Sequence, residues 1–264
     1  MSQVGPEGAA PAEAPHDWRP GRFMVIAAHP DDADFGPAAT AARWIDDGST
    51  GWLVCCTSGD QGGEDAELDP LELATVRERE QQAAADIVGY EGVTYLHQPD
   101  GALVNDLNLR EQLVREIRRF RPDAVLAQDP EMLFHPRGVN HTDHRAAGIA
   151  AVDASYPAAR NPMAFPWLVR EGLAPHRVRR LYLFWSEKDD ARVDVSATID
   201  RKFAALREHA SQLSDFDALE ARIREWMAEE GRKIGAAFAD AFRVIVIDED
   251  DDGHETEAEE ASQA

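Results

Sequence analysis

The amino-acid sequence predicts an α/β fold of Rossmann-like type, a mainly parallel, doubly wound sheet with helices on both faces. Three observations carry this expectation. Strand-like apolar runs alternate with helix-patterned stretches along most of the chain, the order that strand, helix, strand crossovers produce. Polar clusters follow several of the strand-like runs directly, as they do where parallel strands deliver loops to one rim of a sheet. The 264 residues are 44% apolar with no break in composition, enough for one large core.

The run Phe23-Met24-Val25-Ile26-Ala27-Ala28 is the first strand, and the Ala-rich stretch Pro37 to Asp47 is a helix stopped by Gly48. Trp52 to Thr57 is a second strand, followed by the turn-rich SGDQGGEDAELDP. Leu71 to Val88 reads as a helix ended by Gly89, Val93 to Leu96 as a short strand, and Leu107 to Phe120 as an amphipathic helix. Pro122 separates that helix from a buried strand, Ala124 to Ala127. A polar loop over 128–140 leads to an Ala-rich helix, Thr142 to Ser155, with Asp143 at the positive end of its dipole. YPAARNPMAFPW is irregular, Pro-punctuated chain; Arg180 to Ser186 and Arg192 to Val195 are strands, Ile199 to Gln212 and Ala218 to Glu230 helices, and Phe242 to Ile247 a closing strand. This gives one domain over 21–247, between a disordered Pro/Ala-rich leader (1–20) and a disordered acidic tail (248–264).

The formal charge of −23 argues against nucleic acid and anionic membrane surfaces as partners, because it repels phosphates at long range. Nine of the acids lie in 248–264, which has no Lys or Arg. No apolar run approaches the roughly 20 residues of a membrane span, and MSQVGPEGAAPAEAPHDW has neither the basic nor the apolar region of a signal peptide. The only cysteines, Cys55 and Cys56, are neighbours in a strand and point to opposite faces, so they read as packing thiols in a reducing cytoplasm. A homo-oligomer stays open.

Three polar clusters follow predicted strands: HPDDAD after the first, SGDQGGE after the second and HPRGVNHTDH after the fourth. The first and third offer His29 and Asp32 with His141 and His144. Imidazole nitrogen and carboxylate oxygen are zinc donors, and a catalytic zinc keeps three protein ligands and an open position. A His/Asp/His set equally holds iron(II). One pair supplies two ligands and the other a third, which leaves a fourth group free to move protons. If Asp32 binds the ion, Asp31 points elsewhere and can take a proton from a polarised water. His141 can face the same cavity, stabilising an oxyanion and protonating a leaving amine as imidazolium, with Asp143 beside it raising its basicity. Asp34 has no ligand spacing and reads as a helix cap.

AHPDDADFG, TSGDQGG, the RxxE pair Arg77 and Glu80, QPDG at 98–101 and NHTDHRAAG occur in this order and resemble the PIG-L/LmbE-like superfamily of metal-dependent N-deacetylases. The resemblance spans about residues 22 to 155, with weaker similarity to about 213. It implies a Rossmann-like fold and a Zn2+ site made by His29, Asp32 and His144. It further implies Asp31 as general base, His141 as general acid or electrostatic stabiliser, and Arg77 and Asp100 as groups that hold substrate hydroxyls. The substrate class it implies is a small N-acyl, acetylated amino sugar. HPDDAD and HTDH stand where many members have HPDDE and HPDH, which changes no ligand.

Three other readings remain. The same metal site could act on a non-sugar amide or ester conjugate of secondary metabolism. A binding module with a dead site conflicts with the intact set His29, Asp31, Asp32, His141, Asp143 and His144. A nucleotide-binding protein would show a Gly-rich turn where HPDD stands. Asp60 and Gln61 are expected at the rim of the site, and His135 is the best rim candidate among the other histidines, which read as surface or satisfied groups. Trp167 is a candidate for stacking on a sugar, and the other tryptophans are expected to pack. The sequon formed by Asn140 is read as a chance match.

Overall fold

The computed structural model describes residues 16–63, 65, 67–135, 138–213 and 215–248. The acidic tail beyond Asp248 and the leader before His16 lie outside them. Arg22–Ala27 (β1) is apolar on both faces because it is central: Thr50–Thr57 (β2) pairs with it on one side and Ala124–Gln128 (β4) on the other, both parallel. Gly92–Gln98 (β3) adds parallel to β2, and Arg180–Phe184 (β7) adds parallel to β4. Ala239–Val246 (β9) then runs antiparallel to β7, and Ala191–Asp194 (β8) antiparallel to β9. The seven-stranded order is β3-β2-β1-β4-β7-β9-β8. A two-stranded ribbon, Phe134–His135 (β5) with Gly138–Val139 (β6), rises from the loop after β4.

Helices cover both faces. Asp32–Phe35 (α1), Ala38–Asp46 (α2), Pro70–Val88 (α3), Ile199–Arg207 (α7) and Phe216–Lys233 (α8) belong to one side; Leu107–Phe120 (α4), Thr142–Asp153 (α5) and Pro166–Arg170 (α6) belong to the other. The caps use local chemistry, and Gly89 ends α3 as the sequence predicts. Asp69 accepts from the Leu71 N–H ahead of Pro70, Gly89 closes α3 in the left-handed region at φ 100°, and Asp106 caps α4 through the Leu109 N–H. Each face has its own buried cluster, one containing Phe23, Trp44, Tyr182 and Phe242, the other Met24, Ile26, Leu113 and Val125. Cys55 falls in the first and Cys56 in the second, both free and buried. No helix among the described residues is long and apolar enough to cross a membrane.

Most element ends shift by one to three residues, and two boundaries differ in ways that bear on the packing. Residues 16–20 are part of the packed structure: the His16 N–H donates to the Arg192 carbonyl at 2.7 Å, its Nε2 lies 2.7 Å from the Tyr182 hydroxyl, and Trp18 stacks on Tyr182. The helix expected over 199–212 stops at Arg207, and the following turns carry His209 inward to full burial. The short α1, the β5/β6 ribbon and α6 are elements beyond those expected.

Candidate active site

The sheet reverses its order of growth between β1 and β4, and the crevice beyond their carboxyl ends is where ligands of such sheets bind. The HPDD turn follows β1, the loop ending in His141 follows β4, and the GDQGG and PDG turns follow β2 and β3. All eight site residues expected from the sequence meet there.

His29 is the hub. Its Nδ1 lies 3.4 Å from Asp32 Oδ2, and its Nε2 lies 3.1 Å from Asp100 Oδ1 and 3.3 Å from Asp143 Oδ2. His144 Nε2 lies 3.1 Å from Asp32 Oδ1. Ring nitrogens of His29, His141 and His144 come within 4.8 Å of one another, as do ligand atoms of His29, Asp100 and Asp143. Burial opposes the His29 cation, but the Asp100, Asp143 and Asp32 carboxylates overcome it and raise its pKa to about 12. Burial likewise opposes Asp32, yet His144 and His29 hold its carboxyl well below the usual range. A pocket that crowds three carboxylates around one imidazole asks for positive charge, and its mixed nitrogen and oxygen donors fit a divalent ion.

Partners around the donors set their orientation. Asn140 Oδ1 lies 3.1 Å from His144 Nδ1, and the Asn140 amide itself donates to the Met132 carbonyl. Asn140 thus holds the Nδ1 side of the His144 ring and turns its Nε2 toward Asp32. His141 caps α5 by accepting the Asp143 N–H at Nδ1, so its remaining proton sits on Nε2. Its ring stands edge-on to His29 with centroids 4.8 Å apart. Burial and the His29 and His144 charges lower the His141 pKa, which favours a neutral hydrogen-bond donor over the expected imidazolium.

Asp31 has left-handed backbone, φ 90° and ψ −30°, rare for a residue with a side chain. Burial and the Asp32 charge push its carboxyl up to about 7, against the opposing pull of Arg77, His209 and His29. That range suits a group that must take up and give back a proton near neutrality.

Residues 24–155 match the family described as GlcNAc-PI de-N-acetylase, PIG-L. The chain belongs to this family. It is 28% identical over 226 residues to a diacetylchitobiose deacetylase of Thermococcus kodakarensis, covering 85% of this chain and 83% of that one. A 1D-myo-inositol 2-acetamido-2-deoxy-alpha-D-glucopyranoside deacetylase of Kineococcus radiotolerans is also 28% identical, with 76% and 71% covered. Among solved structures, the N,N'-diacetylchitobiose deacetylase of Pyrococcus horikoshii, complexed with its inhibitor MPG, superposes with a TM-score of 0.79 at 28% identity, over 86% of this chain and 84% of that one.

Within this PIG-L site several residues stand differently from the sequence reading. The Asp143 carboxylate does not support the His141 ring; it accepts the N–H groups of Gly101 and Leu103 at 2.7 and 3.1 Å and faces His29, so it ties the PDG loop to the hub. Arg77 is buried under the GDQGG turn, donating to the Gly59 and Pro30 carbonyls at 2.9 and 2.8 Å and reaching Asp31 Oδ2 at 3.2 Å. The guanidinium so enclosed has Asp31 as its carboxylate partner. Asp100 is buried and held by Gln61, which donates to it from both backbone and side chain; its carboxyl drops to about 2 because His29 and the Gln61 N–H outweigh burial. Gln61 thus touches a site residue, whereas Asp60 lines a neighbouring hollow with Ser58, Glu78 and His97.

Asp34 caps no helix. It is fully buried, and its Oδ2 accepts from Gln81 at 2.8 Å and lies 2.9 Å from His209 Nε2. Trp167 sits against Phe165 and Glu111 on the outside of α4, and the tryptophan beside the site is Trp185, 5.4 Å from the His144 ring. Trp185 was readable as a rim residue only from its place at the carboxyl end of β7.

Proposed function

We propose that this chain is a metal-dependent hydrolase that removes an N-acyl group, acetyl in the first instance, from an amino-sugar-type small molecule. The observation that carries the reading is one cluster in which Asp32 lies between His29 and His144, residue types suited to a divalent ion, beside a carboxylate, Asp31, with its pKa brought to about 7. The deacetylases among its relatives support the acetyl amide as the bond broken. A zinc or iron(II) ion in that donor set supplies, when bound, a Lewis acid for the acyl carbonyl and the attacking water.

Asp31 takes the proton of the water as its oxygen adds to the carbonyl carbon. The His141 Nε2–H donates to the oxygen that gains charge at that moment. As the carbon–nitrogen bond breaks, the proton held by Asp31 passes to the departing nitrogen, releasing acetate and a free amine. Arg77 keeps the Asp31 carboxylate aimed while it is charged, and Asp143 with Gln61 keeps the PDG loop and Asp100 against His29. The paired buried thiols support a reducing cytoplasm as the place of action.

The test is chelation, reconstitution with Zn2+, Fe2+ or Co2+, and measurement of acetate and amine released from N,N'-diacetylchitobiose and an N-acetylglucosaminyl inositol. Activity lost on chelation and regained with metal is expected. Full turnover without metal would overturn the mechanism, and cleavage of acyl esters or non-sugar amides alone would move the substrate class.

A further inference from the structure

Asp31 holds a backbone conformation that a side chain normally avoids, so something must keep it there. Its carboxylate is held by Arg77, but its N–H points the other way and donates to Gln81 Oε1 at 2.8 Å. Gln81 is fully buried on α3, and its Nε2 donates at 2.8 Å to Asp34 Oδ2. The same oxygen lies 2.9 Å from Nε2 of His209, also fully buried.

The direction of this chain is fixed by chemistry. A backbone N–H only donates and a carboxylate only accepts, so the Gln81 amide has one usable orientation, and His209 must carry its proton on Nε2. A third element clamps the far end of the same short helix: Lys202 of α7, buried, donates from Nζ to the carbonyls of Phe35 and Gly36. His209 and Lys202 lie outside the span matched by the family, 24–155.

We propose that His209, Asp34 and Gln81 form a buried relay of positioning residues that fixes the left-handed backbone of Asp31 and so aims the proton-accepting carboxylate. The proposal rests on the hydrolase reading, since it is there that Asp31 moves a proton. Packing alone predicts that Gln81→Met, similar in volume and without hydrogen bonds, is nearly silent. The relay predicts otherwise.

The experiment compares zinc-loaded wild type with Gln81→Met, His209→Phe and His209→Gln by amide exchange at Asp31, kcat and KM on an N-acetyl amino sugar, bound metal and Tm. Gln81→Met is expected to keep one metal and its KM, to exchange the Asp31 amide at least about tenfold faster and to lose about tenfold or more in kcat. His209→Phe should follow it, whereas His209→Gln, whose amide restores a donor to Asp34, should stay within about threefold of wild type. Should Gln81→Met not fold, Gln81→Asn, too short to reach both partners, carries the same expectation. In an active enzyme, wild-type exchange or wild-type kcat in the folded Gln81 variant overturns the relay. A wild type that cleaves no amide overturns the hydrolase reading instead, and the exchange rate at Asp31 then decides the relay alone.

Discussion

Asp31 and Asp32 are adjacent, yet the fold gives them opposite tasks. Asp32 is pinned between His29 and His144 and stays ionised, while Asp31, turned away by its left-handed backbone, keeps an exchangeable proton. Asp31→Asn is therefore expected to retain bound zinc, measured by elemental analysis, and to lose about 10²- to 10⁴-fold in kcat, the usual worth of a positioned base. Arg77 separates two readings. As a partner of Asp31, Arg77→Met lowers kcat and leaves KM near wild type; as a substrate group it would raise KM several-fold. The contacts to Gly59, Pro30 and Asp31 favour the first outcome. The HPDD and HTDH clusters were legible in the sequence because each places two ligand-type residues three apart in a polar stretch that follows a predicted strand. The true partners of Asp143, Arg77 and Asp34 were not, because each lies 18 to 175 residues away along the chain and only the packing chooses it.

The elements carrying these residues approach so closely that glycine is required. A Cβ on Gly148 of α5 would stand 2.4 Å from the Gln128 carbonyl at the end of β4, and one on Gly62 would stand 2.3 Å from Arg77. Gly148→Ala is expected to push α5, and His144 with it, off β4: Tm falls by an amount reflecting about 1–3 kcal/mol, and zinc affinity weakens in the same variant. Unchanged affinity would show that the first turn of α5 moves independently of Gly148. The long elements were legible because apolar periodicity and stop signals such as Gly48 and Gly89 act locally. The reversal of β9 and β8, the β5/β6 ribbon and the end of α7 were not, since they answer to neighbours: β9 fills the edge beyond β7, and α7 ends where His209 turns in toward Asp34.

At the scale of the whole molecule, two histidines far from the site stitch the periphery to the sheet as neutral rings. His16 joins the chain ahead of β1 to Tyr182, and His176 places its Nε2 2.7 Å from the Pro122 carbonyl ahead of β4. Burial lowers both pKa values; the Arg180 charge adds to this at His16, and at His176 burial outweighs the Pro122 carbonyl. A base whose pKa is lower folded than unfolded binds fewer protons in the native state, so stability rises with pH where the unfolded chain is protonated. The contribution is complete above the unfolded value of about 6.5 and is lost as pH falls below it toward the depressed folded values. His29 and His209, raised in the folded state, act in the opposite sense, which is why the comparison must be between variants rather than on wild type alone. Denaturant unfolding of wild type and His16→Asn/His176→Asn, at equal zinc loading from pH 7.5 to 5.5, should show a smaller acid-side loss of stability in the double variant. An equal or steeper loss would mean that these rings accept a proton in place, and that the peripheral segments do not depend on their neutrality.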